Sequence, residues 1–593
     1  MLASARVVAA PPRRRGRRPG ARGAPPRWRA RDPCISSGRV PRFSPRSGGL
    51  TLEELGARLE NTFAEELPGD PSASPEPRQV RGALHSPCAP TPTGAAPALA
   101  LISDEMALFL GLAPDELADN PLAAEYLSGN APLPGSGRPY AQNYGGHQFG
   151  EWAGQLGDGR AVTLGEVPPP EDRTQYPRVD LQLKGAGPTP YARDGDGRAV
   201  LRSSLREFIA SEAMGALGVP TTRCLSLALT GGGVLRDGRF EAGAVVARVA
   251  PSFVRFGTFQ LPPSRGDAEA RALCEPLVAH VLRRHMPAAA AAAELDAGTP
   301  PALAMLRETT AATAATVAAW QALGFAHGVL NTDNMSVLGL TLDYGPFAFV
   351  ERFDPNFTPN LSDRDGRYAF IRQPEVAGWN LRRFGDALTR AGLVSARQAK
   401  EAVDEYDAHL RAAYYARIGA KFGVRCEDDD AGNFLRGFLR LLASSRADFT
   451  LAHRALGRVG SVAAASGPAA SDDALLAPLE AFPGAFPDGP PEDPTLRRSW
   501  GEWLRAYGAT LRAEGREDDE RRASQDAANP LYVPRNHLLQ RAIEAAERRD
   551  DWSVAASLME ALRQPYVERP GLETWTEPAP ISLADAPGVA ALS

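Results

Sequence analysis

The residues best equipped for chemistry lie in one short stretch, His327-Gly328-Val329-Leu330-Asn331-Thr332-Asp333-Asn334, and in Asp343-Tyr344-Gly345, which begins nine residues after Asn334. Carboxylates and an amide at these spacings suit phosphoryl transfer. In loops of that kind one Asp takes the proton of the acceptor hydroxyl, an Asn five residues on binds a metal, and a later Asp binds it again. Set against the pattern H-G-D-x-x-x-x-N, Asn334 and Asp343 fall on the two metal positions. The base position falls on Val329, which neither accepts a proton nor binds a cation. Asp333 stands beside Asn334 as an extra carboxylate. The metal-nucleotide half of such a site is present and its usual base is missing.

A triphosphate also needs cations, and the chain must position them. Val179-Asp180-Leu181-Gln182-Leu183-Lys184 alternates as a strand, with Val179, Leu181 and Leu183 on one face and Asp180, Gln182 and Lys184 on the other. A strand Lys turned away from the apolar face is placed to hold phosphate. A helix is expected from Ser203 to Leu217, stopped by Gly218 and Pro220. Glu207 on that helix is the expected partner of Lys184. Glu212, the rival, lies about 140° further round at 3.6 residues per turn. Arg248 and Arg255 sit in the apolar run 244–257 and need either a carboxylate or a polyphosphate, since an unpaired buried cation costs several kcal/mol.

Two glycine turns accompany these cations. Leu156-Gly157-Asp158-Gly159-Arg160 reads as an Asp-Gly hairpin, or as a turn whose amides approach phosphate with Arg160 adding charge. Asp194-Gly195-Asp196-Gly197-Arg198 precedes the Glu207 helix. The segment Val337–Asp343 puts Leu338, Leu340 and Leu342 toward the core and Asp343 toward Asn334, a donor pair suited to Mg²⁺. His147, in the aromatic and glycine-rich run Tyr140–Gly150, has no His or Cys at metal spacing and reads as a hydrogen-bonded core residue.

The rest of the chain supports these parts. Leu52, Leu55, Leu59 and Phe63 predict one helix face, and Ser103 an N-cap for a second helix. Residues 267–325 are Ala- and Leu-rich and helical, interrupted near Pro287 and Gly298-Thr299-Pro300-Pro301. The 593 residues, 43% hydrophobic and 23% charged, can bury a sizeable core. A net charge of −5 without a basic stripe speaks against nucleic acid as partner, and no apolar run is long enough to span a membrane. Five scattered cysteines give neither a zinc spacing nor a disulfide framework. Residues 1–31 hold ten arginines and no acidic residue, as an organelle transit peptide does.

Long matches in one order make the chain resemble the selenoprotein O family, also called YdiU, of pseudokinases. They are Tyr144–Gly150, Leu183-Lys184-Gly185-Ala186-Gly187, Arg198–Ser204, His327–Asn334 and Asp343-Tyr344-Gly345-Pro346-Phe347. The resemblance covers about residues 51–570. It implies an α+β, protein-kinase-like bilobal fold with an N-terminal extension and additional C-terminal helices. It implies binding of ATP in a flipped pose and transfer of AMP to Ser, Thr or Tyr hydroxyls of protein substrates. By motif position it implies ATP contacts from Gly157, Gly159, Arg160, Lys184, Asp196, Gly197, Arg248 and Arg255. Asp333 would be the base, Asn334 and Asp343 the ligands of Mg²⁺ or Mn²⁺, and Glu207 the partner of Lys184. The alternatives are a kinase that transfers the γ-phosphate and a nucleotide-binding scaffold without catalysis.

The expected divisions are a disordered transit peptide (1–45), an N-terminal extension (46–139), an N-lobe (140–260) and a helical C-lobe (261–456). A low-complexity linker (457–493) and a C-terminal helical region (494–593) follow. The resemblance points to a mitochondrial protein, with plastid or cytoplasm as alternatives, and a monomer is the expected state. Eukaryotic relatives carry a redox motif near the carboxy terminus; no Cys follows Cys426 here, so none is expected.

Overall fold

The computed structural model describes residues 49–584, apart from 114, 170–176, 237, 297, 426–428 and 462–470. The Arg-rich leader, Cys34, Cys426 and the tail after residue 584 lie outside the described residues.

Among the described residues up to Ala250 there are ten strands, namely β1 (His85–Pro87), β2 (Ala98–Ile102), β3 (Tyr140–Gln142), β4 (Gly145–Gln148), β5 (Glu151–Gln155), β6 (Ala161–Val167), β7 (Val179–Lys184), β8 (Ala199–Val200), β9 (Arg223–Arg236) and β10 (Arg239–Ala250). The main sheet runs β1-β3-β6-β7-β10-β9-β2 with antiparallel neighbours, and β8 pairs with β10. β4 and β5 form a separate two-stranded ribbon. The Asp158-Gly159 turn is therefore not a hairpin. It carries the chain from β5, bonded to β4, into β6, bonded to β3 and β7.

Helices cover both faces of the sheet. α1 (Leu52–Gly56), α3 (Asp104–Phe109), α4 (Glu116–Asp119) and α5 (Ala123–Ser128) pack on one face, and α6 (Leu201–Ala216) on the other, where α2 (Thr62–Glu66) adds Phe63 to the same core. The single helix expected over Leu52–Phe63 is two short ones, because the chain breaks at Leu59-Glu60-Asn61 to bridge Glu60 to Glu166 of β6. The Ser103 cap forms as expected, its side chain accepting from Met106 N. Val179, Leu181 and Leu183 join the core on the α1, α3 and α5 side, so Asp180, Gln182 and Lys184 face the other way.

The helical half follows, with α7 (Phe256–Gln260), α8 (Asp267–His285), α9 (Pro287–Leu295), α10 (Pro301–Leu323) and α11 (Gln373–Arg390). One apolar core links the two halves, joining Leu205 and Phe208 of α6 to Leu277, Leu303, Trp320 and Leu381. The helix Asn536–Arg549 adds Leu538 and Leu539 to it. Within the stretch read as a linker, Asp472–Glu480 is a helix that buries Leu475, Leu476 and Leu479. Its Ala and Pro content had hidden an apolar face. Residues 337–343 form isolated bridges, Thr341 to Thr221 and to Met335, and no named strand. Leu340 and Leu342 are buried but so are Val337 and Thr341, so clean alternation fails there.

Candidate active site

The polar face of β7 is where the site begins. The register sets Lys184 opposite Val246 of β10 and Ala161 of β6, and Gln182 opposite Arg248. Lys184 Nζ lies 2.7 Å from Glu207 Oε2 and pairs also with Asp343. Arg248 Nη1 donates to Glu207 Oε1 at 3.1 Å and to Asp343 Oδ1 at 3.4 Å, and Nη2 donates to Gln182. Two cations thus share two carboxylates across strand, helix and turn. Glu212 is committed elsewhere, 2.8 Å from Arg223 Nε.

Electrostatics follow from this arrangement. Burial alone would raise the Asp343 carboxyl, but Lys184, Arg248 and Arg160 outweigh it and hold the group well below the usual range. Its side chain is 35% exposed, so the ionised oxygens face an opening. Asn334 spends its Nδ2 on Val329 O at 2.9 Å, which leaves Oδ1 uncommitted among the described residues. A carboxylate and an amide oxygen are hard donors of the kind Mg²⁺ takes, with phosphate and water filling the other positions. The residues present therefore fit such an ion. Among the described residues no three His, Cys, Asp or Glu side chains gather at metal distance.

Asp333 lies in the single helical turn Thr332–Asn334 and is 8% exposed. Burial pushes its carboxyl up to about 6, against the pull of Gln148, whose Nε2 donates to Oδ2 at 3.2 Å. Arg255 caps α7 and reaches back to the same turn, its Nη1 donating to Asp333 O at 2.9 Å. Its guanidinium lies 4.2 Å from the centre of the Tyr144 ring and 3.8 Å from Asp158 Oδ1. His327 is buried, and that burial drives its imidazole down to about 4.

The remaining predicted contacts are more distant or otherwise engaged. Arg160 is exposed, close enough to Asp343 to lower its carboxyl. Gly157 (φ +74°) and Gly159 pack against Tyr191, where a Cβ would collide. Their amides donate to Tyr144 O at 3.1 Å and Gly157 O at 2.9 Å, so these amides stabilise the turn rather than face an open cradle. Asp196 is held by Arg236 at 2.8 Å, whose hydrogen bonds keep its carboxyl low, and Gly197 O accepts from Gly187 N at 3.1 Å. The loop 188–198 thereby rests on the 157–160 turn.

Sequence reasoning missed three neighbours of Asp333 and Arg255, namely Asp158, Tyr144 and Gln148. Asp158 could have been found as the buried counter-ion that Arg255 requires. Gln148 carries no signal of its own.

Lys184 and Arg248 paired with Glu207 and Asp343, with the buried carboxyl of Asp333 nearby, suit a transferase that handles nucleotides. Curated relatives agree. The chain is 44% identical over 547 residues to a protein nucleotidyltransferase YdiU of Azoarcus sp. (strain BH72), covering 90% of this chain and 98% of the relative. It is 42% identical over 572 residues to that of Nitrosospira multiformis, covering 92% and 97%, and 43% over 558 residues to that of Xanthomonas campestris pv. campestris (strain 8004), covering 90% and 99%. Residues 87–563 match the family described as protein adenylyltransferase SelO, and the chain belongs to that family.

Proposed function

We propose that this protein transfers AMP from ATP to Ser, Thr or Tyr hydroxyls of other proteins, with Mg²⁺ or Mn²⁺, on a two-lobed kinase-like scaffold. The observation that carries the reading is the company of Asp333. A buried carboxylate stands next to Asn334 and near the Lys184–Glu207–Arg248–Asp343 cluster, while Val329 occupies the usual position of the base. Asp333 accepts the proton of the acceptor hydroxyl as its oxygen bonds to the α-phosphorus, and pyrophosphate departs with the electron pair of the broken bond. Lys184, Arg248, Arg255 and Arg160 bind the phosphates and offset the negative charge that develops on them. Asn334 and Asp343 would hold the metal, which supplies further charge neutralisation when bound. Gly157, Gly159, Asp196 and Gly197 shape the turns on the nucleotide side.

The lobe reading draws on chain order, with the sheet and α6 preceding the helices that support the Asp333 loop. The division at residues 140–260 and 261–456, the extension 46–139 and the C-terminal region 494–593 belong to the same proposal. So does mitochondrial targeting by residues 1–45, tested by attaching them to a fluorescent protein. A monomer is proposed as the working state, tested by light scattering.

The deciding experiment uses two labels. Incubation with acceptor proteins and α-labelled ATP should label protein, and γ-labelled ATP should not. Label arriving only from the γ position would replace AMP transfer by phosphate transfer.

A further inference from the structure

The motif Tyr144–Gly150 has no role in the chemistry so far, yet Gly146, His147, Gln148 and Phe149 all touch residues 331–333 of the turn that carries Asp333. The Tyr144 ring stacks under Arg255, which donates to Asp333 O. Gly145 O lies against Gly257, and a Cβ on Gly146 would collide with Asp333 Oδ1. His147 N donates to Thr332 Oγ1 at 2.7 Å, and Phe149 N donates to Tyr368 Oη at 2.7 Å and Asn331 Oδ1 at 3.4 Å. Gly146 and Gln148 both meet the carboxylate across an irregularity in the β4 register, while the His147 ring lies against Trp152 and Trp379.

Each feature constrains the carboxylate itself. Oδ1 is buried against Gly146 with no partner among the described residues. Oδ2 is the oxygen left to meet a hydroxyl. Gln148 Nε2 is the one side-chain donor that reaches it among the described residues, at 3.2 Å. A carboxylate oxygen has two acceptor directions, so one held by Gln148 leaves the other aimed.

We propose that Gln148 is the positioning residue of the base, fixing the direction in which Asp333 Oδ2 meets the acceptor hydroxyl. The β4–β5 ribbon is then the element that aligns the base, delivered from outside the main sheet. This rests on the reading of Asp333 given above. Misalignment of a catalytic group by about an ångström costs up to a hundredfold in rate.

The test is a double-mutant cycle on AMP transfer from α-labelled ATP, with kcat and the KM for ATP measured in Gln148→Leu, Asp333→Asn and the double variant. Gln148→Leu should lower kcat about tenfold to a hundredfold and leave the KM for ATP unchanged. In the Asp333→Asn background the same change should cost nothing more. Equal losses in both backgrounds would show a packing role and overturn the proposal, as would normal kcat in Gln148→Leu. Should Gln148→Leu fail to fold, Gln148→Met, of similar length and without a donor, is held to the same outcomes. A wild-type protein that transfers no AMP defeats the function itself. An active one with an indifferent Gln148 defeats only this inference.

Discussion

Two buried lysines in this molecule have opposite surroundings. Lys184 projects from β7 between Glu207 and Asp343, so its charge is compensated from both sides. Lys421, near the end of the helix Tyr406–Phe422, is 3% exposed and has no carboxylate partner among the described residues. The Phe449 ring lies 5.8 Å from its Nζ, and burial drives its ammonium down to about 7. A buried amine with no anion beside it is penalised in its charged form by the loss of water. The compensated lysine lies in the candidate site and the uncompensated one in a helical core.

Substitutions at these positions test the contrast. Asp333→Asn should give the largest loss, about 10²–10⁴-fold in AMP transfer, the usual worth of a positioned general base. Near-normal turnover of that variant would remove Asp333 from the mechanism. Lys184→Met should lower kcat/KM for ATP by about 10²–10³-fold, as loss of one charge-stabilising donor does. Lys421→Met, the matching change, should leave turnover unaltered; a comparable loss there would end the comparison. Glu207→Gln should cost less, about tenfold, because Lys184 and Arg248 retain Asp343.

The smallest effects concern stability. Lys421→Met should raise unfolding free energy by about 1–3 kcal/mol in urea titrations, since an apolar side chain of similar length replaces a buried polar group without a compensating partner. The pH dependence has a definite sign. Between about 7 and the ordinary lysine value the unfolded chain binds a proton that the folded one does not, so stability rises with pH through that window. It falls as pH drops toward 7, and Lys421→Met should abolish this slope. A slope that persists in the variant would assign it to other groups.

Much of the site was legible in the sequence because its parts are locally encoded. Strand alternation set Lys184 apart from Leu181 and Leu183, and helix spacing favoured Glu207 over Glu212. The glycine turns were harder to read. Gly157 and Gly159 suggested a phosphate cradle, but they admit Tyr191, a contact that neighbouring residues do not announce. The segment 337–343 misled for a similar reason, since its burial comes from bridges to Thr221 and Met335 and not from a sheet.

The amino-acid order alone settled that Lys184 faces away from Val179, Leu181 and Leu183, that the Glu207 helix stops before Gly218, and that Asp333, Asn334 and Asp343 are carried close together along the chain. Those properties depend on side-chain periodicity and backbone preference over a few residues. Only the tertiary structure decided that Gln148 meets Asp333 across 185 positions of chain, and that Lys184 and Arg248 divide Glu207 and Asp343 between them. Such contacts depend on how the ribbon and the sheet dock on the helices, a result of packing the whole core that no local pattern encodes.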